Sequence, residues 1–283
     1  MYRKIGLALA FSPTFTALMA EATRLKVSFQ AELVLIHVGI KNSDKEQQIQ
    51  ALLQKFKLTE QDVKIIWKQG KPAKTIIKVC KKEGVDLLIA GALKNETLIN
   101  YYIGSIARKI LRKAPCSLLI LTEPSEKVKK IGDIVIDAED TLLRPEVFQV
   151  GLTLAKIKKP RMIHFVKEIK LYGLTMSVMS EYSIEETSVL RKNLIYQEIK
   201  KVEKVLENYD TGDSRINIKV LAGKSGYELR KFTRQVKADL LVIGAIRKKL
   251  DFIDRMFMNR LEYIIEDIPC NVLIIKNPLF ATK

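Results

Sequence analysis

The feature that most constrains this chain is a duplication. Residues 85–121, VDLLIAGALKNETLINYYIGSIARKILRKAPCSLLIL, recur with close agreement in type and spacing as residues 238–275, ADLLVIGAIRKKLDFIDRMFMNRLEYIIEDIPCNVLII. Gly70, Asp86 and Gly91 return 153 positions later as Gly223, Asp239 and Gly244, and Pro115-Cys116 returns one position further on as Pro269-Cys270. Lys4-Ile5-Gly6 matches Lys130-Ile131-Gly132, and Leu35-Ile36-His37-Val38 matches Arg161 to Phe165, which sets His37 against His164. Solenoid units repeat every ~20–50 residues, and this period is about 150 residues. The chain therefore reads as two copies of one domain, 1–124 and 125–283, joined through the polar stretch 122–129, TEPSEKVK.

Each copy alternates strand and helix. Val85 to Ala90 and Ser117 to Leu121 are short continuous apolar runs, the pattern of strands covered on both faces. Between them Ile106, Ala107, Ile110 and Leu111 recur at helical spacing. Upstream, Ile5 to Ala10, Glu32 to Val38 and Val63 to Trp67 read as strands. Ser12-Pro13 supplies an N-cap and first-turn proline, Ser43 to Glu46 a capping box, and Pro72 and Gly84 bracket a third helix. Right-handed crossovers then predict a five-stranded parallel sheet in each copy. The second copy repeats the order, with a strand at Asp133 to Ile136 and one at Met162 to Val166. It also carries an insertion at about 167–185, including KLYGLTMSVMSEY (170–182), before a long helix from Ser183 to about Asn208.

Charge and cysteine content bound the function. The chain carries 49 Lys and Arg against 32 Asp and Glu, a formal charge of +17. The excess is spread over both halves, much of it in pairs such as Lys81-Lys82, Lys158-Lys159 and Lys200-Lys201 on predicted helix surfaces. That reads as solvated faces, with a polyanion-binding surface as the alternative. No nucleic-acid-binding motif accompanies it, so nucleic acid is not the expected partner. Cys80, Cys116 and Cys270 show no metal or redox spacing and read as reduced, cytoplasmic thiols. Two histidines without Cys or carboxylate partners at ligand spacing imply no metal site. No apolar run approaches the ~20 residues of a membrane helix.

These landmarks resemble the universal stress protein family. In the first copy the resemblance rests on Ser12-Pro13 opening helix one, Leu-Ile-His-Val at 35–38, and Gly70-x-Pro72 before helix three. Asp-Leu-Leu-Ile-x-Gly at 86–91, Gly104-Ser105 before helix four and Ala-Pro-Cys at 114–116 complete it. The resemblance implies two fused α/β domains of the universal stress, or adenine nucleotide alpha hydrolase-like, type. They would pack about a pseudo-two-fold axis, with the last strands, Ser117 to Leu121 and Val272 to Ile275, as the contact between copies.

Family members that bind ATP share Gly-x2-Gly-x9-Gly-(Ser/Thr), and here that frame falls on Gly91, Lys94, Gly104 and Ser105. Lys94 replaces a glycine that lets backbone approach phosphate, and Ala10 stands where the family often places an acid. In the second copy Asp137 ends the first strand, but the frame after Gly244 is Arg247, Met258 and Asn259. The implied ligand set is Gly91, Lys94, Gly104, Ser105 and Ile106, with Val38 near the base and Ala10, Asp137 and Gly244 at the remaining family positions. For the glycines, a tight turn and a helix cap are the plainer roles; for His37 and His164, packing or a contact near a ligand.

No catalytic constellation accompanies these residues: no Gly-x-Ser-x-Gly, Walker lysine or Cys/His dyad. The expected function is a cytoplasmic stress-response binding or signalling protein that holds ATP or another adenine nucleotide weakly in the first copy. It is not expected to be an enzyme, with weak ATP hydrolysis left open. A carrier or sensor of a small apolar ligand under residues 170–182 is one alternative, and polyanion binding is the other. An intramolecular pseudo-dimer, and a homodimer beyond it, are the expected assemblies.

Overall fold

A computed structural model describes residues 1–59, 61–94, 101–139, 145–169, 184–245 and 260–276. The segment 170–182, the helix-opening Ser183 and the positions Arg247, Met258 and Asn259 lie outside the described residues. The chain divides into two compact units, one made of Met1–Lys129 and Asn271–Lys283, the other of Lys130–Cys270.

Unit 1 contains β1 (Lys4–Leu9), α1 (Phe15–Phe29), β2 (Glu32–Val38), α2 (Ser43–Lys55), β3 (Val63–Lys68), α3 (Pro72–Glu83) and β4 (Leu87–Gly91). It continues through a two-stranded hairpin, β5 (Leu93–Lys94) and β6 (Tyr101–Tyr102), to α4 (Ser105–Lys113) and β7 (Ser117–Leu121). The order β7-β4-β1-β2-β3 is parallel throughout, as continuous apolar strands require. Ile5, Leu7, Leu35, Ile36, Leu87, Leu88 and Ile89 are fully buried at its centre. The last strand, β12 (Asn271–Ile275), pairs antiparallel with β7 in the register Val272 to Ile120 and Ile274 to Leu118. Two side chains fasten it: Asn271 Oδ1 accepts from the Thr122 amide at 3.0 Å, and Ser117 Oγ accepts from the Lys276 amide at 3.2 Å.

Unit 2 contains β8 (Asp133–Asp137), α5 (Pro145–Lys158), β9 (Met162–Ile169), α6 (Ile184–Leu206), β10 (Ile216–Ala222), α7 (Tyr227–Gln235) and β11 (Leu240–Gly244), with a further helix, α8, described over 260–266. Its own parallel strands run β10-β9-β8-β11.

Several local expectations shift. α1 begins at Phe15 with Thr14 as N-cap, because residues 12–14 form a turn closed by the Phe15 amide on the Ser12 carbonyl. The cap of α2 is Asn42, whose side chain accepts from the Lys45 amide, one residue ahead of the expected Ser43. The hairpin after β4 replaces what reads in sequence as a plain loop.

A larger correction concerns the match between copies. Ile5 pairs with Leu87 and Leu33 in unit 1, whereas Ile134 pairs with Leu240 and Ile163 in unit 2. Likewise the Asp86 amide reaches the Lys4 carbonyl while the Asp239 amide reaches that of Asp133. Position 5 therefore corresponds to 134, not 131, and His164 corresponds to Val34, not to His37. The Lys-Ile-Gly identity is a coincidence three residues out of register. The strand ladder decides the matter because a slip would move each side chain relative to its neighbours.

Candidate functional site

In unit 1 the expected ligand positions gather at the C-terminal edge of the sheet, beside the point between β1 and β4 where strand order reverses. Open α/β sheets bind ligands at such points. The register that sets Leu9 against His37 brings Ala10 and Val38 to one level. Ala10 is exposed; Val38 and Gly91, the last residues of β2 and β4, are half-buried. Gly104 is the N-cap of α4, with extended backbone and no side-chain hydrogen bond closing the cap, and Ser105 and Ile106 open the helix exposed to solvent. Leading amides of a helix carry partial positive charge and seek an acceptor. A β-carbon at 104 would meet only the tip of the exposed Leu93 side chain, which can turn aside.

Lys94 is the residue at the second position of the family frame. It sits exposed on β5, where the Lys94 to Tyr101 and Leu93 to Tyr102 pairs make a short antiparallel ladder. Its ammonium is the only part of it suited to an anion.

His37 lies nearby but is enclosed. Its ring is edge-on to both Phe11 and Trp67, with centroids 4.9 and 5.1 Å away, and its Nδ1 lies 3.2 Å from the Leu9 carbonyl. Burial pushes its pKa below the ordinary histidine value; the Leu9 carbonyl opposes this and Lys45 adds to it. The neutral ring donates from Nδ1, and the other nitrogen is buried. His164 does a different job: its Nε2 meets Asp133 Oδ2 at 3.2 Å and its Nδ1 meets the Asn217 amide at 2.9 Å. The two rings sit in unlike settings.

The same edge of unit 2 is filled by charged side chains. With the register corrected, Glu139 corresponds to Ala10 and Glu168 to Val38, and Arg260 corresponds to Ile106 when counted back from the shared proline. All three converge with Asp137. Arg260 donates from both terminal nitrogens to Asp137 at 2.8 Å each and from Nε to Glu168 at 2.8 Å, and it also pairs with Glu139. Burial opposes the charge on Arg260, but Asp137, Glu139 and Glu168 together more than offset it and keep the guanidinium protonated. Glu168 also accepts from the Gly226 and Leu229 amides at 2.9 Å, so a carboxylate of the protein itself occupies the opening of α7. Gly226 must be glycine here, with φ of +82° and the Arg260 backbone pressed against its α-carbon. Gly244 is buried at the end of β11.

At this edge unit 2 thus carries an ion network where unit 1 has Ala10, Val38 and Ile106. Asp137 was legible in the sequence as an acid at this edge, but Glu139, Glu168 and Arg260 were not. The signal was present: three charged residues stand where the first copy has Ala10, Val38 and Ile106, the last visible by counting back from the shared proline and the other two only in the corrected register. Among the described residues no cluster of three His, Cys, Asp or Glu side chains is arranged to hold a metal. Among them, too, no helix is long and apolar enough to cross a membrane.

The universal stress protein family model matches residues 39–122 and again 152–276. Among solved structures, one described as a universal stress protein from Pseudomonas aeruginosa aligns over 97% of this chain and 93% of its own, at 18% identity and a TM-score of 0.69. A second protein from that organism, of unknown function, aligns over 97% and 92% at 18% identity and a TM-score of 0.68. A universal stress protein from Archaeoglobus fulgidus aligns over 96% and 98% at 12% identity and a TM-score of 0.60. These likenesses establish the fold. No curated protein sequence matches the chain. With the family model matching in each repeat and the parallel sheets arranged as described, the chain belongs to the universal stress protein family.

Proposed function

We propose that unit 1 binds an adenine nucleotide, ATP or a close relative, weakly and without turning it over, as a cytoplasmic stress-response binding or signalling protein. The observation that carries this reading is the opening of α4, where Gly104, which has no side chain to cap the helix, and the exposed Ser105 present leading amides beside the reversal point of the sheet. A phosphate group fits there on both hydrogen-bonding and dipole grounds. Val38 is placed to meet the base, and the Lys94 ammonium to meet a terminal phosphate. The reading is of weak binding because Ala10 offers no acceptor to the nucleoside and the Lys94 backbone is held in a ladder. Unit 2 has no share in it, since Glu168 and Arg260 take the corresponding positions. Binding of this kind relies on electrostatics alone, and His37, tied to Leu9 and enclosed by aromatic rings, plays no part as a base.

Calorimetric titration of the full chain with ATP tests the reading. Binding weaker than about 1 µM is expected, which is a free energy smaller than ~8 kcal/mol. Ser105→Asp should weaken it at least about tenfold while leaving α4 intact, because a carboxylate in a first turn suits the helix dipole but repels phosphate. Absence of any ATP binding, or unchanged affinity in Ser105→Asp, would overturn the proposal. Sub-micromolar affinity would overturn the claim of a weakened site.

A further inference from the structure

The lysine excess is not evenly disposed once the helices are placed. α3 and α4 pack against each other on unit 1. α3 carries four lysines and one glutamate, and residues 106–113 of α4 carry four basic residues and no acid, a net of seven positive charges. The single acid, Glu83, is engaged by Lys64 of β3 at 2.6 Å. Lys74, Lys78, Lys81, Lys82, Lys109 and Lys113 are all exposed, and among the described residues none of the six is ion-paired.

The second copy provides an internal comparison. The matching stretches 225–236 and 260–267 carry four basic and four acidic residues, a net of zero. Arg112 and Lys113 are replaced there by Glu266 and Asp267. Asp267 is bonded by Arg234 at 2.6 Å and lies 3.5 Å from Arg230, so that face neutralises itself. Two copies of one helix pair in one chain thus differ by seven charges, which an even scatter of solubilising lysines does not produce.

The composition of the face selects its partner. Neither α3 nor α4 contains an aromatic residue, so there is no platform on which unpaired bases would stack. The one large apolar side chain exposed on these helices is Ile106, at the start of α4, too little to enter a bilayer. Protein interfaces are enriched in aromatics and Met and depleted in Lys, whereas this face has neither of the first two and six exposed lysines. Lysines act as point charges on phosphate, and a duplex presents about one charge per 1.7 Å, well matched to a helix of twelve residues spanning ~18 Å. We propose that the α3–α4 face of unit 1 binds the phosphate backbone of double-stranded nucleic acid without reading its sequence. The expectation from sequence, that nucleic acid is not a partner, rested on a missing binding motif and on charge spread over both halves; the helix pairs remove the second ground, and contact with phosphate alone needs no motif.

Fluorescence anisotropy of a labelled duplex of about 20 base pairs, titrated with the full chain at about 50 and 200 mM salt, tests it. Two variants of equal net charge are compared. One combines Lys74→Glu, Lys78→Glu, Lys109→Glu and Lys113→Glu; the other combines Lys192→Glu, Lys204→Glu, Lys219→Glu and Lys231→Glu on exposed sites of unit 2. The wild type should bind at low salt with a steep salt dependence. The first variant should lose at least about tenfold in affinity and flatten the slope of log affinity against log salt by about three. The second should stay within about threefold of wild type. If the glutamate set in unit 1 misfolds by circular dichroism, the same four positions changed to Gln give the reading. Failure of the wild type to bind at low salt, equal losses in the two variants, or sedimentation with phosphatidylserine vesicles in place of duplex binding would each overturn the proposal. Nucleotide is absent from the assay, so its outcome is separate from that of the ATP titration.

Discussion

Arg260 shows how much one residue determines in unit 2. Its side chain is 4% exposed, and those of its partners Asp137 and Glu168 are 3% exposed each. Taking one partner from a buried ion pair leaves charge without compensation in a poorly polarisable interior, at a cost of about 3–5 kcal/mol. Arg260→Met should therefore destabilise unit 2 by about that amount in denaturant unfolding followed by circular dichroism. Adding Asp137→Asn and Glu168→Gln should recover part of the loss, and a cost below about 1 kcal/mol for the single change would sink the account. His37 gives a prediction in pH. Its folded pKa lies below the ordinary 6.5, so between the two values the unfolded chain holds more protons. Stability from the neutral ring is then complete above about 6.5 and is lost as pH falls toward the folded pKa. Unfolding midpoints measured from pH 7.5 to pH 5 should fall more steeply for wild type than for His37→Phe, whose ring cannot titrate. Parallel pH profiles would show that burial does not disfavour the imidazolium here.

At the scale of elements, the sequence was informative where side-chain periodicity speaks and silent where pairing decides. Strands buried on both faces announce themselves as unbroken apolar runs, so β4, β7, β11 and β12 could be read with their neighbours. Pro72 and Gly84 bounded α3 because each has a backbone reason to stand where it does: a fixed φ at the first turn, and a left-handed C-cap at φ of +68°. The Ser43 cap and the Ser12-Pro13 start were displaced by one and two residues, since several polar residues in a row compete to cap a helix and composition does not choose among them. The site proposed for unit 1 could be read in sequence because glycines and a helix opening leave a pattern in one stretch of chain. In unit 2 it depends on Glu139, Glu168 and Arg260, drawn from three distant segments. Only the ladder between β8, β9 and β11 shows that they share one edge.

At the scale of the molecule, unit 1 is assembled from both ends of the chain, because β12 completes it across β7. Val272, Leu273, Ile274 and Ile275 are at most 2% exposed, and burying a large aliphatic side chain is worth ~1.5–3 kcal/mol. The four together weigh heavily against the 5–15 kcal/mol by which an ordinary domain is stable. β12 also covers Leu118 and Ile120 of β7, whose edge would otherwise present unpaired backbone groups. The single tryptophan, Trp67, lies on β3 at the far edge of unit 1, so its fluorescence reports on that unit alone. Ending the chain after Cys270 should consequently lower the midpoint of the Trp67 unfolding transition, although every residue of the first repeat remains. If unit 1 were instead complete within residues 1–129, as a simple tandem array implies, the truncation would leave the Trp67 transition where it was. The comparison separates two repeats that merely follow one another from a fold in which the second repeat supplies a strand that the first requires.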